Sequence, residues 1–317
     1  MTPDRRPSLA DPAILIPFLL ITLIWSSTWI VIKDQIGDAG EAGAVPAPWS
    51  VAYRFAFASA AMFVMARISG ASLRIGGHGH LLALAIGIPQ FVINFNLVYA
   101  AERHVTSGIV AVVFALLVLP NAALARVFFG HRISRAFLIG SGVAMAGVGL
   151  LFAAELRGAA GDSTEVLVGI GFTLLAVLAA SVGNMMQLVK AVQRLPVAAL
   201  LAWAMLYGTL GNALIAFVSF GAPVVEARPG YWAGLIYLGL MASALAFFFY
   251  YRIIRAIGPA KAAYTSVLVP LIAMALSTLL EGYRWTALSA AGGGLAMIGL
   301  VIALASRPAG DPAPIPD

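Results

Sequence analysis

Two amide side chains lie one helical turn apart near the middle of an apolar segment. Gln90 and Asn94 have the i, i+4 spacing that places both on one face of a helix, and Phe91 lies beside them. Amides donate and accept hydrogen bonds, so this face is suited to binding a polar small molecule. It is also suited to hydrogen bonding between helices, worth about 0.6 kcal/mol per bond in membranes. We predict cavity lining, with interhelical bonding as the alternative.

A second group of candidates combines indole and hydroxyl side chains. Trp25 and Trp29 share one helical face, and Ser26 follows the first of them. Tryptophans near the end of a membrane helix are ordinarily interfacial anchors. Trp25 precedes Lys33 by two turns, which is deeper than an anchor needs. Stacking against a substrate is therefore the competing interpretation, and we include all three residues in the predicted cavity.

Five further polar side chains are candidates for the same cavity. Arg54 lies about two turns inside an apolar run, where a charge costs roughly 2.5–3.5 kcal/mol near the bilayer centre. It either binds a substrate carboxylate through its planar fork, extends toward the membrane surface or pairs with a helix end. The other four are Ser181, Asn184, Tyr264 and Ser266. For these four, cavity lining and helix packing both remain open.

Prolines and glycines predict where the helices bend and where they touch. Pro120 and Pro270 each remove a backbone hydrogen bond, which predicts either hinges for alternating access or static kinks. Small residues permit close helix packing, and we favour an intramolecular contact over a dimer for the glycine-rich fifth and tenth runs. Their glycines are Gly140, Gly142, Gly147, Gly292, Gly294 and Gly299.

The remaining reactive residues form no catalytic or metal-binding pattern. The chain has no cysteine, which excludes disulfides, thiolate catalysis and cysteine-ligated metals. Its histidines lie in or beside predicted loops, and no acidic residue lies deep within an apolar run. The lack of a deep carboxylate favours facilitated export over obligatory proton exchange. We predict no enzymatic activity, no cofactor and no metal.

Membrane helices must position these side chains. The 317 residues are 62% hydrophobic and 10% charged, whereas soluble proteins are about 25% charged. Ten apolar runs are each long enough to cross a hydrocarbon core of ~30 Å as a helix. The runs are 13–32, 48–68, 80–101, 106–128, 134–154, 166–189, 197–220, 231–251, 259–280 and 286–305. The net charge of +6 comes from residues between the runs, so we predict no nucleic-acid partner.

The basic residues also predict the orientation in the membrane. With both termini in the cytoplasm, 13 Lys and Arg residues fall on the cytoplasmic side and 5 on the opposite side. Arg54 lies inside a run and is not counted. This distribution satisfies the positive-inside rule. We predict a multi-pass protein of the bacterial inner (plasma) membrane with both termini cytoplasmic.

The two halves of the chain resemble each other at one offset of 152 residues. This offset places Gly87 on Gly239 and Gly142 on Gly294 without a gap. Each half contains five runs, and because five is odd, the second half enters the membrane from the opposite side. Inverted repeats are typical of secondary transporters. The predicted units are a first five-helix repeat (1–154), an inverted second repeat (165–306) and a cytoplasmic tail (307–317).

Several segments resemble the EamA family of the drug/metabolite transporter superfamily. They are LIWSSTWIVIK (23–33), PWSVAYRFAFASA (48–60), FFGHRISRAFLIGSGVAMAGVGLLF (128–152) and LEGYRWTALSAAGGGLAMIGLVI (280–302). The family commonly has Gly-Glu-Arg after helices 4 and 9, but here His131 and Tyr283 replace the glutamate. Within the family the sequence is most similar to the YddG-like exporters of aromatic amino acids.

This resemblance implies export of small metabolites by alternating access through a central cavity. The expected substrates are amino acids, either aromatic or otherwise neutral. Two alternatives remain: export of another metabolite or drug, such as a nucleoside, sugar or cation, and a membrane signalling role without transport. The expected partners are the small-molecule substrate and the lipid bilayer, and a monomer is favoured over a dimer.

Overall fold

The structure is a bundle of long helices. It is a computed structural model that describes residues 11–36, 45–130, 133–158, 163–257, 262 and 265–305. These residues form ten long helices and no strand. The helices are α1 Pro12–Ile36, α2 Ala47–Ile68, α3 Gly76–Ala101, α4 Ser107–Phe129, α5 Arg135–Gly158, α6 Thr164–Leu188, α7 Val197–Phe220, α8 Pro229–Ile257, α9 Thr265–Leu280 and α10 Ala287–Ala305.

The helices have the length and surface of membrane spans. In the described residues, α1 to α8 are long and apolar enough to cross a bilayer, and shorter apolar helices, Leu268–Leu280 and Ala287–Ala303, lie in α9 and α10. Large apolar side chains face outward all around the bundle; Leu23 and Phe217, for example, are 60% and 61% exposed. Such a surface is suited to lipid rather than water. The predicted all-α membrane fold of about ten helices is confirmed.

Helix boundaries follow the positions of proline and glycine. Pro12 and Pro229 are the first residues of α1 and α8, where a missing N–H costs no helical bond. Gly130 ends α4, and Gly282 lies at the equivalent place after α9. Both glycines have φ near +68°, which only glycine adopts without strain. These two turns are 152 residues apart, so the repeat seen in the sequence is also a repeat of backbone conformation.

Two helices contain a π-helical segment at equivalent places. The segments are Ile88–Ile93 in α3 and Tyr237–Leu245 in α8. Adding 152 to the first segment gives 240–245, which lies within the second. A π-helical turn shifts the side chains that follow it around the helix axis and is frequent at functional sites. The sequence pattern did not predict these segments.

Contacts between α5 and α10 show that the two repeats are inverted. A Cβ atom on Gly140 would lie 2.6 Å from the carbonyl oxygen of Gly299, and one on Gly292 would lie 2.8 Å from that of Gly147. The offset of 152 converts Gly140 into Gly292 and Gly147 into Gly299. The two contacts are therefore related by a twofold axis, and because the helices run antiparallel, this axis is perpendicular to them.

The other helix contacts have the same twofold symmetry, in which each helix is replaced by its counterpart in the other repeat. α1 packs on α8 and α9, and its counterpart α6 packs on α3 and α4. α2 packs on its own counterpart α7, and α4 packs on α9. The equivalent helices of the two repeats thus surround one central region. The predicted glycine contact between the fifth and tenth helices forms within the chain at Gly140, Gly147, Gly292 and Gly299, but not at Gly142 or Gly294, which face open space.

The two ends of the bundle are named here by their lysines. Lys33, the α3–α4 loop and the α7–α8 loop lie at one end, where Arg228 bonds the backbone of Asp34. This is the Lys33 end. The α2–α3 loop, Lys190 and the first turn of α9 lie at the opposite end, the Lys190 end. The tail 307–317 lies outside the described residues.

Candidate functional site

The helices enclose a central cavity of about 120 Å³. Its wall is built by α1, α3, α4, α6, α8 and α9, and it reaches Arg54 on α2. It extends from Ile32 and Val98, toward the Lys33 end, to Thr265 at the Lys190 end. Both repeats therefore contribute to the wall. The sequence-predicted residues on it are Trp25, Trp29, Arg54, Gln90, Asn94, Asn184 and Pro270.

Arg54 supplies the cavity wall with a buried positive charge. The residue is 2% exposed, and its Nε donates a 2.9 Å hydrogen bond to Ser243 Oγ in the π-helical segment of α8. Its guanidinium carbon lies 4.3 Å from the ring centroid of Phe95. Among the described residues Nη1 has no partner, and no carboxylate lies within ion-pair distance. A buried cation without a counter-charge is costly, and an anionic ligand would offset that cost.

The backbone around Arg54 is duplicated, although the arginine is not. A Cβ on Gly239 would lie 2.9 Å from the carbonyl oxygen of Arg54, so glycine allows α8 to approach α2 closely. The equivalent Gly87 of α3 approaches α7 in the same way, at the carbonyl oxygen of Ala204. Ala204 thus occupies the place of Arg54 in the second repeat. Among the described residues, the pseudosymmetric cavity carries this charge on one side only.

Two amide oxygens on α3 lack partners. Gln90 and Asn94 are 3% and 2% exposed, and the Asn94 amide nitrogen donates to the backbone oxygen of Gln90 at 3.2 Å. Neither Gln90 Oε1 nor Asn94 Oδ1 has a partner within the described ranges. Gly183 of α6 makes room for Gln90, because a Cβ there would lie 2.8 Å from the Gln90 Cβ. Gln90 Oε1 is itself turned toward Gly183, since that Cβ would lie 2.4 Å from it; both oxygens are hydrogen-bond acceptors on residues of the cavity wall.

A different amide of α3 makes the interhelical hydrogen bond that was the alternative role for Gln90 and Asn94. Asn96 Nδ2 donates to Asn212 Oδ1 of α7 at 2.5 Å. Asn212 in turn donates to the backbone oxygen of Phe91 at 2.9 Å. This pair joins the two helices behind the cavity wall. The sequence pattern did not predict this pair.

Aromatic rings cover one side of the cavity. Trp25 Nε1 donates to the backbone oxygen of Ala242 at 3.1 Å, which anchors the indole to the π-helical segment of α8. Its ring centroid lies 5.5 Å from that of Phe247 and 4.9 Å from that of Tyr250, both in edge-on geometry. Trp29 lies 5.5 Å from Phe114. Rings arranged in this way are suited to an apolar or aromatic group of a ligand.

Four predicted residues do not lie on the described wall. Ser26 donates to the backbone oxygen of Thr22 at 2.6 Å, within its own helix. Ser181 donates to Asn121 Oδ1 at 2.7 Å and so joins α6 to α4. Phe91 is fully buried behind the wall, packed between the rings of Phe55 and Phe247. Pro120 lies in α4, just after the 3-10 turn Ala115–Leu117.

Two predicted residues cannot be placed in the same way. Tyr264 lies outside the described residues. Ser266 belongs to the backbone of α9, and its side chain is not described. The neighbouring Thr265 reaches the wall instead, and its hydroxyl donates to the backbone oxygen of Ala262 at 3.0 Å.

Sequence reasoning missed part of the wall. The residues of the wall that were not predicted include Thr28, Phe114, Phe247, Tyr250 and Thr265. Phe247 and Tyr250 belong to a run of five aromatic residues, of which only one face can turn inward at 100° per residue. Which face does so depends on the π-helical segment that precedes the run, and this segment left no signal in the sequence.

Comparison with known proteins establishes the family. The model of the EamA-like transporter family matches residues 13–153 and, separately, residues 167–305. The chain belongs to the EamA-like transporter family. Each match covers one five-helix repeat, in agreement with the twofold relation between α5 and α10. The protein is thus a multi-pass membrane transporter, and the family membership indicates a transporter rather than an enzyme.

The similar proteins are bacterial and distant in sequence. A probable amino-acid metabolite efflux pump of Salmonella typhimurium is 26% identical over 90% of this chain and 92% of its own length. The uncharacterized transporter YdfC of Bacillus subtilis is 24% identical over 88% of this chain and 87% of its own length. Protein PagO of Salmonella typhimurium is 28% identical, but the match covers only 32% of this chain and 32% of PagO.

A solved structure supports the fold alone. One crystal structure superposes with a TM-score of 0.67 at 18% sequence identity, covering 91% of this chain and 95% of that chain. At this identity the similarity shows a shared arrangement of helices and carries no information on the substrate.

Proposed function

We propose that this transporter exports zwitterionic amphipathic metabolites, with aromatic amino acids as its preferred substrates. The observation that carries the proposal is the uncompensated charge of Arg54 in a cavity whose other described lining residues are neutral, with aromatic rings and amides among them. One buried cation favours a substrate with a single carboxylate. A strongly anionic substrate would need more positive charge than this wall provides.

Each group of an amino acid has a suitable partner on the wall. The carboxylate accepts hydrogen bonds from the free Nη1 of Arg54. The ammonium group donates to the free oxygens of Gln90 and Asn94, which lie on the same helical face. The side chain packs among the rings of Trp25 and Tyr250. Neutral amides bind an ammonium group less tightly than a carboxylate would, which suits a site that must also release its ligand.

The relatives support an amino-acid substrate. The name of the Salmonella protein with 92% coverage describes an amino-acid metabolite efflux pump. The resemblance of the sequence to YddG-like exporters leads to the same substrate class.

The inverted repeats support transport by alternating access. In such transporters, one repeat rocks against the other around a central site. We propose the repeats 1–154 and 165–306 as the moving units. Pro270 lies on the cavity wall and Pro120 in the equivalent helix α4, so a bend at either proline would change the cavity opening.

The membrane and its two sides complete the proposal. We place the protein in the bacterial inner membrane with both termini in the cytoplasm, as the distribution of Lys and Arg predicts. The Lys33 end then faces outward. The glycine faces of α5 and α10 are covered by each other, which favours a monomer.

Counterflow in proteoliposomes tests the substrate class. Labelled phenylalanine should accumulate in vesicles preloaded with unlabelled phenylalanine. Phenylalanine amide, which lacks the carboxylate, and N-acetylphenylalanine, which lacks the ammonium group, should compete weakly. Stronger competition by a nucleoside, a sugar or an organic cation would contradict the proposal and identify one of the alternative exporters. Absence of flux for every class would favour a role without transport.

A further inference from the structure

Two acidic residues meet in a buried cluster at the Lys33 end, although neither lies deep in a span. Glu102 follows α3 and is fully buried, and Glu281 follows α9. Ser107, the first residue of α4, lies between them. Its Oγ is 2.9 Å from Glu102 Oε2 and 2.8 Å from Glu281 Oε1. The cluster therefore contains the buried carboxylate that the sequence did not reveal.

A count of hydrogens shows that this cluster needs a proton. Ser107 Oγ is also 3.2 Å from the backbone oxygen of Trp29, so three acceptors surround a hydroxyl with one hydrogen when both carboxylates are ionised. If Glu102 carries a proton on Oε2, it donates to Ser107, and Ser107 can then donate to Glu281. One added proton thus converts a clash of acceptors into a continuous chain of hydrogen bonds.

The surroundings of the two carboxyl groups indicate which one holds the proton. Glu281 accepts from the hydroxyls of Ser107 and Ser277 and from the backbone N–H of Ser107 at 3.4 Å, at the start of α4. These donors stabilise a negative charge. The only hydroxyl beside the Glu102 carboxyl among the described residues is that of Ser107, for whose one hydrogen Glu281 competes, and the buried Oε1 of Glu102 has no described partner. We therefore assign the proton to Glu102 and the negative charge to Glu281.

The charges around Glu102 agree with this assignment. Burial raises the pKa of the Glu102 carboxyl well above its usual range; the Ser107 hydrogen bond and the charge of Lys33 lower it, and the charge of Glu281 raises it. Lys33 donates its Nζ hydrogen bond to the backbone oxygen of Glu102 and forms no described ion pair with either carboxylate. Tyr99, one turn earlier in α3, donates to Gln35.

The cluster lies one helical turn beyond the cavity wall, toward the Lys33 end. Val98, four residues before Glu102, and Ala111, four residues after Ser107, both lie on the cavity wall. The hydrogen bonds of the cluster join α1, α3, α4 and the end of α9 just beyond these residues. The second repeat cannot copy it, because the offset of 152 places Ile254, Pro259 and Phe129 at the corresponding positions.

We propose that Glu102 is a proton-binding site that locks the Lys33 end of the cavity. The neutral carboxyl holds the cluster together. When this end opens, water reaches the carboxyl, the O–H bond breaks heterolytically, the proton passes to water and the carboxylate remains. Acid on the Lys33 side thus favours the closed end and alkali favours the open end. The proposal rests on the alternating access proposed above, but its test needs no substrate.

Cysteine labelling from outside measures the opening directly, because the chain has no native cysteine. Val98→Cys, in right-side-out membrane vesicles, reports access to the cavity by an impermeant thiol reagent. Ala227→Cys, in the exposed α7–α8 loop of the same end, corrects for the effect of pH on thiol reactivity. The corrected rate at Val98→Cys should rise with external pH, by up to about tenfold per unit between the closed-state and open-state pKa values.

Variants of the acidic residues test whether Glu102 causes the pH dependence of labelling at Val98→Cys. Glu102→Gln, which mimics the protonated carboxyl, should label slowly at every pH. Glu281→Gln removes the charge that favours protonation of Glu102, so the midpoint of the profile should move to lower pH. Glu165→Gln changes an exposed carboxylate of the same end that contacts His104 and not the cluster, and it should keep the wild-type profile.

Other outcomes would overturn the lock. They are a pH-independent wild-type profile, an unchanged profile in Glu102→Gln, and an unmoved midpoint in Glu281→Gln. If Glu102→Gln does not insert into the membrane, the pH profiles of the wild type and of Glu281→Gln still test the lock. Labelling that occurs but ignores pH would reject the lock while leaving the proposed transport intact. Missing label at Ala227→Cys would show that the Lys33 end faces inward and would reject an outer lock.

Discussion

A 2.9 Å hydrogen bond from Nε holds Arg54 against Ser243 and joins α2 to the π-helical segment of α8. This bond uses Nε and leaves Nη1 without a partner among the described residues. The guanidinium is thus fixed in position before any ligand arrives, which reduces the entropy lost on binding. Because α2 belongs to the first repeat and α8 to the second, a ligand bound to Arg54 touches the contact between the repeats.

Replacing Arg54 should weaken transport of carboxylate substrates selectively. A hydrogen bond to a charged group contributes about 1.5–3 kcal/mol, so Arg54→Gln should raise the KM for phenylalanine by roughly 10- to 100-fold. Competition by phenylalanine amide should change little. Arg252→Gln is the matched control, because that arginine is exposed and stacks on Phe248. An unchanged KM in Arg54→Gln, measured by counterflow, would remove Arg54 from the binding site.

Replacing the amides of α3 separates binding from helix packing. Gln90→Ala and Asn94→Ala should lower flux or change substrate preference with little change in the melting temperature in detergent, because neither amide oxygen has a protein partner in the described part of the chain. Asn212→Ala is the contrasting variant, since it breaks bonds to Asn96 and to the backbone of Phe91. It should melt earlier. Normal transport and early melting of both α3 variants would reject their cavity role.

The sequence predicted the repeat but not the details of the wall. The offset of 152 residues and the odd number of runs were sufficient to predict an inverted fold. The offset was visible because glycines recur where helices pack closely. Hydroxyl side chains were less predictable: Ser26 and Ser181 are satisfied by Thr22 and Asn121, and a periodic pattern does not show which partner a short polar side chain finds.

The acidic cluster was not predictable for a related reason. Glu102 and Glu281 each follow a helix, and in sequence terms each resembles an ordinary loop residue. They meet only because α4 and α9 pack together in the center of the bundle. A contact between residues so far apart in the chain depends on the complete fold rather than on any local pattern. The π-helical segments of α3 and α8 likewise left no periodic signal.

The orientation can be tested with two cysteines in exposed loops. Ser72→Cys lies in the α2–α3 loop and Ala227→Cys in the α7–α8 loop, at opposite ends of the bundle. If both termini are cytoplasmic, an impermeant reagent added to intact cells should label Ala227→Cys and should reach Ser72→Cys only after lysis. Both positions should react in detergent, which controls for thiol reactivity. The reverse pattern would invert the assignment of the two ends.

The contact between α5 and α10 allows the same substitution to be compared at crowded and open positions. A Cβ on Gly147 would lie 2.2 Å from the backbone nitrogen of Ala296, and one on Gly299 would lie 2.2 Å from that of Ala144. A Cβ on Gly149 would meet nothing within 4 Å. The crowding atoms at the first two positions are backbone, so the helices themselves must separate to admit a methyl group.

Gly147→Ala should therefore destabilise the protein by about 1–3 kcal/mol, the usual cost of overpacking. Gly299→Ala should cost a similar amount, because the twofold axis makes it the same contact seen from the other repeat. Gly149→Ala should melt at the same temperature or higher, since alanine favours a helix over glycine by roughly 0.5–1 kcal/mol. Thermal unfolding in one detergent measures all three. Equal melting temperatures for Gly147→Ala and Gly149→Ala, or a large difference between Gly147→Ala and Gly299→Ala, would contradict the symmetric contact.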